Sequence, residues 1–315
     1  MTTTQPPSSR AAAEPFHHPA LFYRGAAEYL AGTVPFLREG LDAGEPVAAA
    51  VPEPNLALLR AELGAAASRV RLLDMGRAGR NPGRIIPGVL RAFADAHPGR
   101  RVRIIGEPIW AGRSDTEYPA CLQHEALINL AFAGRAVSIL CPYDAGALRP
   151  HVLADAAETH PVLVDAGGER ASDRYAATEV VDGCNAPLPE PDAPAVLAYD
   201  GASLGKARDL VVDQAIRAGL SPDRVLDVEL AVNELTGNTL LHGGGQGTLR
   251  VWTEGGQLVC EVHDRGHVTD PLAGRRPVAP TTAGGRGLLL VNQLADLTRM
   301  HTRPGGTTVR IYFSH

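Results

Sequence analysis

The chain has 315 residues, of which 44% are hydrophobic and 21% are charged, and its formal net charge is −5. A chain of this length and composition is globular and can bury two cores of ordinary size, so we expect two domains. The acidic balance, without any dense basic run, argues against a protein that binds nucleic acid through its phosphates.

The segment 1–15 is polar and contains several Pro and Ser residues, and we predict a disordered leader there. It lacks the apolar centre of a signal peptide, and no stretch of the chain approaches the roughly 20 apolar residues of a membrane span. We therefore expect a cytoplasmic protein that makes no contact with a membrane.

Residues 16–165 show the alternation of strands and helices that is typical of an α/β domain. Short, nearly continuous apolar runs predict strands that are buried on both faces and pair in parallel; they lie at 46–51, 70–73, 102–105 and 137–141. Helical spacing of apolar residues predicts helices at 21–30, 56–63, 85–96 and 118–132. The first domain is therefore predicted to contain a largely parallel sheet.

Parallel sheets bind ligands at the carboxyl ends of their strands, so the loops that follow the last two predicted strands form a candidate sensing site. Its candidate residues are Glu107, Trp110, Arg113, Tyr143 and Asp144. Trp110 is the strongest of these, because an aromatic side chain in such a loop offers apolar area to a small ligand. Two structural alternatives stay open: Tyr143 and Asp144 could cap their strand, and Glu107 could pair with Arg113.

Cysteine and histidine spacing does not indicate a metal site. The cysteines show no CxxC spacing, so neither a disulfide framework nor a zinc site is predicted and buried thiols are expected; they are Cys121, Cys141, Cys184 and Cys260. His124-Glu125 opens like a zinc-protease motif, but Ile128 occupies the position of the second histidine. His17 and His18 are interpreted as packing or capping residues.

A proline-rich stretch at 185–194 predicts a semi-rigid linker. It divides the chain into a first domain at 16–165, an extended segment and linker at 166–194, and a second domain at 195–315. The second domain is predicted to be an α/β sandwich with a mixed sheet. Its predicted strands lie at 196–199, 258–263 and 307–313, and its predicted helices at 204–218, 225–243 and 288–297.

The helix at 225–243 carries Glu234, Asn238 and His242 at four-residue steps, which places the three side chains on one face. Ser221-Pro222 supply an N-cap and a first-turn proline, and the glycines at 243–245 end the helix. A carboxylate and a carboxamide one turn apart suit a Mg-nucleotide, because the amide oxygen can bind a hard cation and the carboxylate can orient or deprotonate an attacking group.

Four motifs follow one another in this domain: ELxxN at 234–238, DRG at 264–266, GGRGL at 284–288 and GTTV at 306–309. Their order and spacing resemble the GHKL ATPase superfamily over residues 195–315. The short domain and the His242-Gly243 helix end are most similar to the anti-sigma factor serine kinases. The family usually has a second glycine after its DxG, whereas His267 and Val268 follow here.

The resemblance implies that this domain binds ATP and Mg²⁺. Glu234 would be the general base or water-orienting carboxylate, and Asn238 would hold Mg²⁺ between the phosphates. Asp264 would accept a hydrogen bond from the adenine amino group, and Thr307 would lie under the adenine. The other matched residues would contact the nucleotide, with phosphate at the glycine loop; they are His242, Gly266, Gly284, Gly285, Arg286, Gly287 and Leu288. Residues 270–283 are predicted to be a mobile ATP lid.

The first domain carries motifs at 17–19, 106–113, 124–129, 141–144 and 159–161 that together resemble the MEDS family of sensory modules over residues 16–165. The resemblance implies a RecA-like parallel-sheet fold and a small-molecule effector, loosely associated with hydrocarbon derivatives.

These observations favour a sensor-regulated kinase that phosphorylates Ser or Thr of a partner protein, an anti-sigma factor antagonist being the expected partner. One alternative is an ATP-dependent binding protein that sequesters a sigma factor or an antagonist without phosphoryl transfer. A histidine kinase would need a phosphoacceptor histidine on a dimerising helix before the ATPase domain, and the proline-rich linker has none. A degenerate domain would not bind nucleotide at all. The oligomeric state stays open, a homodimer included.

Overall fold

The computed structural model describes residues 16–278 and 285–315. The predicted leader at 1–15, Gly284 and the lid residues 279–283 lie outside the described residues. Two β-sheets organise the chain, one built from residues 19–171 and the other from residues 195–313. No described helix combines the length and the apolar character needed to cross a membrane.

The first sheet has seven strands and is mostly parallel. Its strands are β1 (Pro19–Tyr23), β2 (Val47–Val51), β3 (Val70–Asp74), β4 (Val102–Gly106), β5 (Val137–Asp144), β6 (Val162–Asp165) and β7 (Gly168–Ala171). They lie in the order β3-β2-β4-β5-β1-β6-β7, and β7 alone of the described strands in this sheet runs antiparallel to its neighbour. All residues of β2 are buried, as expected for a strand that is covered on both faces.

Helices cover both faces of this sheet. They are α1 (Gly25–Asp42), α2 (Glu53–Leu63), α3 (Met75–Ala78), α4 (Ala92–Asp95), α5 (Tyr118–Phe132), α6 (Pro150–Thr159) and α7 (Ala177–Gly183). One core forms between the sheet and the helices α1 and α2, and a second core forms on the opposite face against α5, α6 and α7. Alternate residues of β2 enter the two cores, Ala49 the first and Ala48 the second.

The four predicted strands and the helix over 118–132 are confirmed, but the predicted helix over 21–30 is wrong in its first part. Residues Pro19–Tyr23 form β1, which pairs with β5 and β6, and α1 begins only at Gly25. A run of five apolar residues is too short for periodicity to separate a buried strand from a helix. Gly25 has φ +70°, which allows the sharp turn between strand and helix.

The predicted helix over 85–96 is not a regular α-helix. Residues Ile85–Arg91 form a π-helix that continues into α4. Pro87 lies in its interior and lacks the N–H that α-helical bonding requires, which accounts for the wider turn.

The second sheet has five strands, and helices cover one of its faces. The strands are β8 (Ala195–Asp200), β9 (Gln246–Glu254), β10 (Gln257–Asp264), β11 (Leu297–Arg303) and β12 (Gly306–Phe313), and the helices are α8 (Leu204–Arg217), α9 (Pro222–His242) and α10 (Gly287–Leu294). The order is β11-β12-β10-β9-β8, and every described pair is antiparallel, so the expectation of a mixed sheet is wrong. Gly255 and Gly256, both at positive φ, form the tight turn that joins β9 to β10 and makes them antiparallel neighbours.

The last helix is shorter than predicted, because α10 ends at Leu294 and Leu297 already belongs to β11.

Leu297 is buried with Trp252, Val259 and Tyr312 on the sheet face that the helices leave open, and Ala120 of α5 joins this cluster. The first domain therefore packs against the back of the second sheet.

Residues 166–194 are less extended than predicted, because they include β7 and α7. The proline-rich part follows the second sheet closely. Asn185 donates to the carbonyl oxygen of Thr302 at 2.8 Å and accepts from its N–H at 2.9 Å, and the Pro189 carbonyl accepts from Arg310 at 2.6 Å.

Candidate functional site

The central helix α9 positions the polar residues that the sequence indicated. Ser221 Oγ accepts from the N–H of Arg224 at 3.4 Å and caps the helix, and Pro222 occupies its first position. Buried residues such as Val228 and Val232 hold the opposite stripe of α9 in the core. The polar face of α9 borders a cavity of about 540 Å³, and Asn238 and His242 line it.

Asp264, at the end of β10, lies deep in this cavity with its carboxylate fixed at both oxygens. Thr239 Oγ1 donates to Oδ2 at 2.7 Å, and the N–H of Gly266 donates to Oδ1 at 2.8 Å. The Tyr199 hydroxyl donates to Thr239 Oγ1 at 2.7 Å and so directs the threonine proton to the carboxylate. Motif matching did not predict Thr239 or Tyr199, since each is ordinary in sequence and becomes significant only through this chain of hydrogen bonds.

Thr307, the first threonine of β12, is buried beneath the DRG turn and lines the same cavity. Its Oγ1 donates to the carbonyl oxygen of Gly266 at 2.9 Å and lies 2.7 Å from Oγ1 of Thr302. The DRG turn is thus held from both sides, by the Asp264 carboxylate and by Thr307.

Glu234 and Asn238 face the start of α10 at Gly287. A Cβ atom at Gly287 would lie 2.9 Å from Oε2 of Glu234 and 3.2 Å from Nδ2 of Asn238, so a side chain at this position would displace the ends of these two residues. The first N–H groups of α10 have no partners within the helix and favour an anion. Gly285, at φ +76°, and Arg286 precede the helix, and Leu288 lines the cavity.

The donor and acceptor set of this cavity fits a nucleotide with a hard cation. The carboxylate of Asp264 can accept from an exocyclic amine, and Leu235, Val262 and Val309 supply apolar walls. The amide oxygen of Asn238 is a suitable ligand for Mg²⁺. The cavity volume lies in the range of about 300–1,000 Å³ that is usual for small-molecule sites.

The described part of the predicted lid, residues 270–278, is anchored on the first domain, contrary to the expectation of a mobile segment. Leu272 is buried in the core of that domain. Arg275 is buried and donates to Oε1 of Gln123 on α5 at 2.9 Å and to the carbonyl oxygen of Pro82 at 3.5 Å. Burial lowers the pKa of Arg275 to about 10, which leaves it charged at neutral pH.

The first domain also contacts the end of α10. Asn81 Nδ2 lies within hydrogen-bonding distance of the carbonyl oxygens of Asn292 and Ala295, at 3.1 and 3.2 Å, where the helix leaves its acceptors unpaired. Arg80 forms an ion pair with Asp296 just beyond the helix. The lid and α10, which both border the cavity, therefore contact the first domain.

Four of the five predicted sensing residues fall into two groups, and Tyr143 lies apart from both. Glu107 is buried, accepts from Tyr23 Oη at 3.1 Å and from Asn55 at 2.9 Å, and lies near Asp144. Burial raises the pKa of Glu107 to about 8, and the Asp144 carboxylate adds to the increase. Asp144 itself caps the end of β5 by accepting from the N–H of Gly146 at 2.9 Å.

Trp110 and Arg113 form the second group and do not meet Glu107. The Arg113 guanidinium stacks on the Trp110 ring at 4.1 Å and pairs with Glu117 at 2.9 Å, so the alternative of a Glu107–Arg113 ion pair is not realised. Arg113 also donates to the carbonyl oxygens of Gly79, Arg80 and Pro108, which fixes the loop that carries Trp110.

Tyr143 is fully buried beside His160, and its hydroxyl has no hydrogen-bond partner among the described residues. Three cysteines, Cys121, Cys141 and Cys260, are buried as expected, whereas Cys184 is only half-buried.

Comparison with known families divides the chain in the same way as its two sheets. Residues 17–161 match the model of the MEDS domain, the methanogen/methylotroph DcmR sensory domain, and residues 197–313 match that of the histidine kinase-like ATPase domain. A search of the curated proteins finds none that matches.

Among solved structures, the RsbU and RsbW domains of Rv1364c from Mycobacterium tuberculosis match at 19% identity with a TM-score of 0.30, over 39% of this chain and 33% of that chain. The histidine kinase AdeS from Acinetobacter baumannii matches at 10% identity with a TM-score of 0.24, over 64% of this chain and 96% of that chain. This chain thus covers about a third of the length of the first of them. The chain consists of a MEDS sensory domain followed by a histidine kinase-like ATPase domain, which implies ATP binding.

Proposed function

We propose that the chain is a sensor-regulated protein kinase that transfers phosphate from MgATP to a Ser or Thr hydroxyl of a partner protein. One observation carries the proposal: Glu234 and Asn238 both face Gly287 at the amino end of α10, and Asn238 and Gly287 line the cavity that also contains the fixed Asp264 carboxylate. The proposed site offers a carboxylate to adenine, an amide oxygen to the metal ion and the N–H groups of α10 to the phosphates.

Binding of the nucleotide rests on three parts of the ATPase domain. Asp264 accepts from the adenine amino group, in an orientation set by Thr239 and the N–H of Gly266. Asn238 would ligate Mg²⁺ through its amide oxygen, and the first N–H groups of α10, from Gly287 onwards, would receive phosphate. MgATP supplies the transferable phosphoryl group and a cation that neutralises its charge.

Glu234 is proposed as the group that acts on the hydroxyl of the partner. It accepts the hydroxyl proton while the hydroxyl oxygen forms the new bond to the γ-phosphorus and the bond to the leaving ADP oxygen breaks. The proximity of Glu234 Oε2 to Gly287 supports this role, because it brings the carboxylate next to the proposed phosphate site. The proposed partner is an anti-sigma factor antagonist.

Regulation is proposed to pass through the two contacts between the domains. Gln123 of α5 holds Arg275 of the lid, and Asn81 holds the carboxyl end of α10. A small-molecule effector that binds the MEDS domain and shifts either contact would move a border of the ATP cavity. The cluster of Glu107 and Asp144 at the strand ends is the proposed polar part of the effector site.

Two substitutions on α9 test the kinase proposal. Glu234→Gln keeps the shape of the side chain but removes the base, so transfer should fall about 10²–10⁴-fold while ATP still binds. Asn238→Ala removes a metal ligand and should weaken both ATP binding and phosphoryl transfer. Glu229→Gln is the matched control, since this carboxylate of the same helix pairs with Arg208.

The measurements are calorimetric titration with a non-hydrolysable ATP analogue and transfer of labelled phosphate to proteins that co-purify from the native host. The kinase proposal fails if the wild type binds ATP but phosphorylates no partner and Glu234→Gln keeps full regulatory activity in cells. That outcome favours an ATP-dependent binding protein for a sigma factor or antagonist. Acid-labile phosphate on a histidine would instead favour a histidine kinase.

A further inference from the structure

A buried cluster of four potential metal ligands lies in the MEDS domain, away from the ATP cavity. His18, Glu125, Cys141 and His160 are all at most 1% exposed. They come from four different places in the fold: the residue before β1, the middle of α5, the strand β5 and the residue after α6. One ligand atom from each lies within 4.8 Å of the other three.

Hydrogen bonds at the outer nitrogens orient both imidazoles. His160 Nδ1 lies 2.9 Å from the carbonyl oxygen of Ala156, which can only accept, so Nδ1 carries the proton. His18 Nδ1 lies 3.1 Å from Oδ1 of Asn129, whose Nδ2 donates to the carbonyl oxygen of Thr159 at 2.9 Å. Both rings thus direct the lone pair of Nε2 into the cluster, the arrangement that supports metal-binding histidines.

Three of the converging atoms are acceptors, and the fourth belongs to a thiol, which is only a weak donor. Nε2 of His18 and of His160 lie 3.4 and 3.3 Å from Oε2 of Glu125, and Cys141 Sγ lies 3.4 Å from Nε2 of His18. Both carboxylate oxygens of Glu125 and Nε2 of His160 have no hydrogen-bond partner among the described residues.

We propose that His18, Glu125, Cys141 and His160 form a closed, four-coordinate zinc site in the MEDS domain. Bonds of about 2.0–2.3 Å in a tetrahedron place neighbouring ligand atoms roughly 3.3–3.7 Å apart. Three of the six separations between the ligand atoms, at 3.3 and 3.4 Å, agree with this, and all six are within 4.8 Å. Two imidazoles with a thiolate and a carboxylate suit Zn²⁺.

Charge supports the same assignment. A carboxylate and a thiolate balance the two charges of Zn²⁺, while two neutral imidazoles add none, so the fully buried site is electrically neutral. Binding breaks the S–H bond of Cys141, forms the S–Zn bond and releases the proton to solvent. Four protein ligands leave no open position, which indicates a structural rather than a catalytic metal.

The proposed zinc joins β1, β5, α5 and α6 and thereby fixes the helix that holds the lid. Gln123, which accepts from Arg275, lies two residues before Glu125 on α5. Removal of zinc should therefore increase amide exchange in α5 and in the lid residues 270–278, whether or not the ATPase domain transfers phosphate.

The test uses the full chain, expressed without a polyhistidine tag and purified without chelator. Elemental analysis should find about one Zn²⁺ per chain in the wild type and in the control Cys184→Ser, whose half-buried thiol lies outside the cluster. Cys141→Ser and His160→Gln should each lose most of the metal. Retention of zinc by a folded Cys141→Ser at the wild-type level, or equal loss from Cys184→Ser, overturns the proposal.

Cobalt replacement in the wild type decides the question even if the variants do not fold. Co²⁺ added to zinc-depleted chain should give the intense visible bands of a tetrahedral ion and a near-ultraviolet band from thiolate to metal, and Zn²⁺ should displace it. A wild-type chain that holds no zinc and gives no thiolate band with Co²⁺ has a hydrogen-bonded histidine–carboxylate cluster instead.

Discussion

Replacing Asp264 by Asn separates the charge of this side chain from its shape. The carboxylate accepts from Thr239 Oγ1 at 2.7 Å and from the N–H of Gly266 at 2.8 Å. Asn keeps one oxygen for the Gly266 N–H, so the DRG turn should persist. What disappears is the negative charge behind the proposed hydrogen bond to adenine, and a hydrogen bond to a charged group contributes about 1.5–3 kcal/mol. The Kd for ATP should therefore rise roughly 10- to 100-fold.

Calorimetric titration with a non-hydrolysable ATP analogue measures this change. Asp270→Asn is the matched control, because Asp270 lines the same cavity but forms an exposed ion pair with Arg276 at 3.3 Å. Exposed pairs contribute about 0–1 kcal/mol, so this variant should change the Kd by less than about fivefold. A GTP analogue, which lacks the amino group at the ring position concerned, should bind the wild type weakly and lose little further affinity in Asp264→Asn.

An unchanged ATP affinity in a folded Asp264→Asn would remove this residue from the adenine site. An equal loss of affinity for both nucleotides would mean that the substitution disturbs the cavity in general and that the carboxylate does not recognise adenine.

Three further predictions concern the loop, the lid and the strand ends. Gly287→Ala should reduce phosphoryl transfer on the order of 10²-fold with little change in Tm, because the Cβ of the alanine displaces Glu234. Gly205→Ala is the control and should leave transfer unchanged, because the space around Gly205 is open. Arg275→Met should lower the free energy of unfolding by about 1–3 kcal/mol and accelerate amide exchange in the lid, since it leaves buried acceptors unpaired. Burial raises the pKa of Glu107 to about 8, so the folded chain keeps a proton that the unfolded chain loses near pH 4.5. The free energy of unfolding should therefore fall as the pH rises from about 4.5 to about 8. Glu107→Gln should reduce this fall, which denaturant titrations at several pH values measure.

Each of these predictions has a contrary outcome. Full transfer by Gly287→Ala would mean that Glu234 does not act at this position. Wild-type exchange of the lid in Arg275→Met, measured beside the control Arg276→Met, would show that Leu272 alone anchors the segment. An unaltered pH profile in Glu107→Gln would assign the loss of stability to other groups.

Local sequence was sufficient for much of the ATPase domain. The N-cap, the first-turn proline and the terminal glycines of α9 act through contacts a few residues apart, so they predicted a helix that the structure places at Pro222–His242. Glu234 and Asn238 share a face for the same reason, because helical geometry fixes the relation of residues four apart. The buried strands of the MEDS domain could also be predicted from local sequence, since strands covered on both faces are apolar throughout.

Tertiary structure alone decided the features that join distant residues. Residues 21–23 were predicted as the start of a helix, but they belong to β1, because pairing with β5 and β6, more than a hundred residues away, outweighs the local pattern. The second sheet, predicted to be mixed, is antiparallel in every described pair, and the tight turn at Gly255 and Gly256 sets this direction for β9 and β10. The lid anchor at Gln123 and the cluster around Glu125 have no sequence signature, since each joins residues whose spacing is set by the fold and not by any helix or turn.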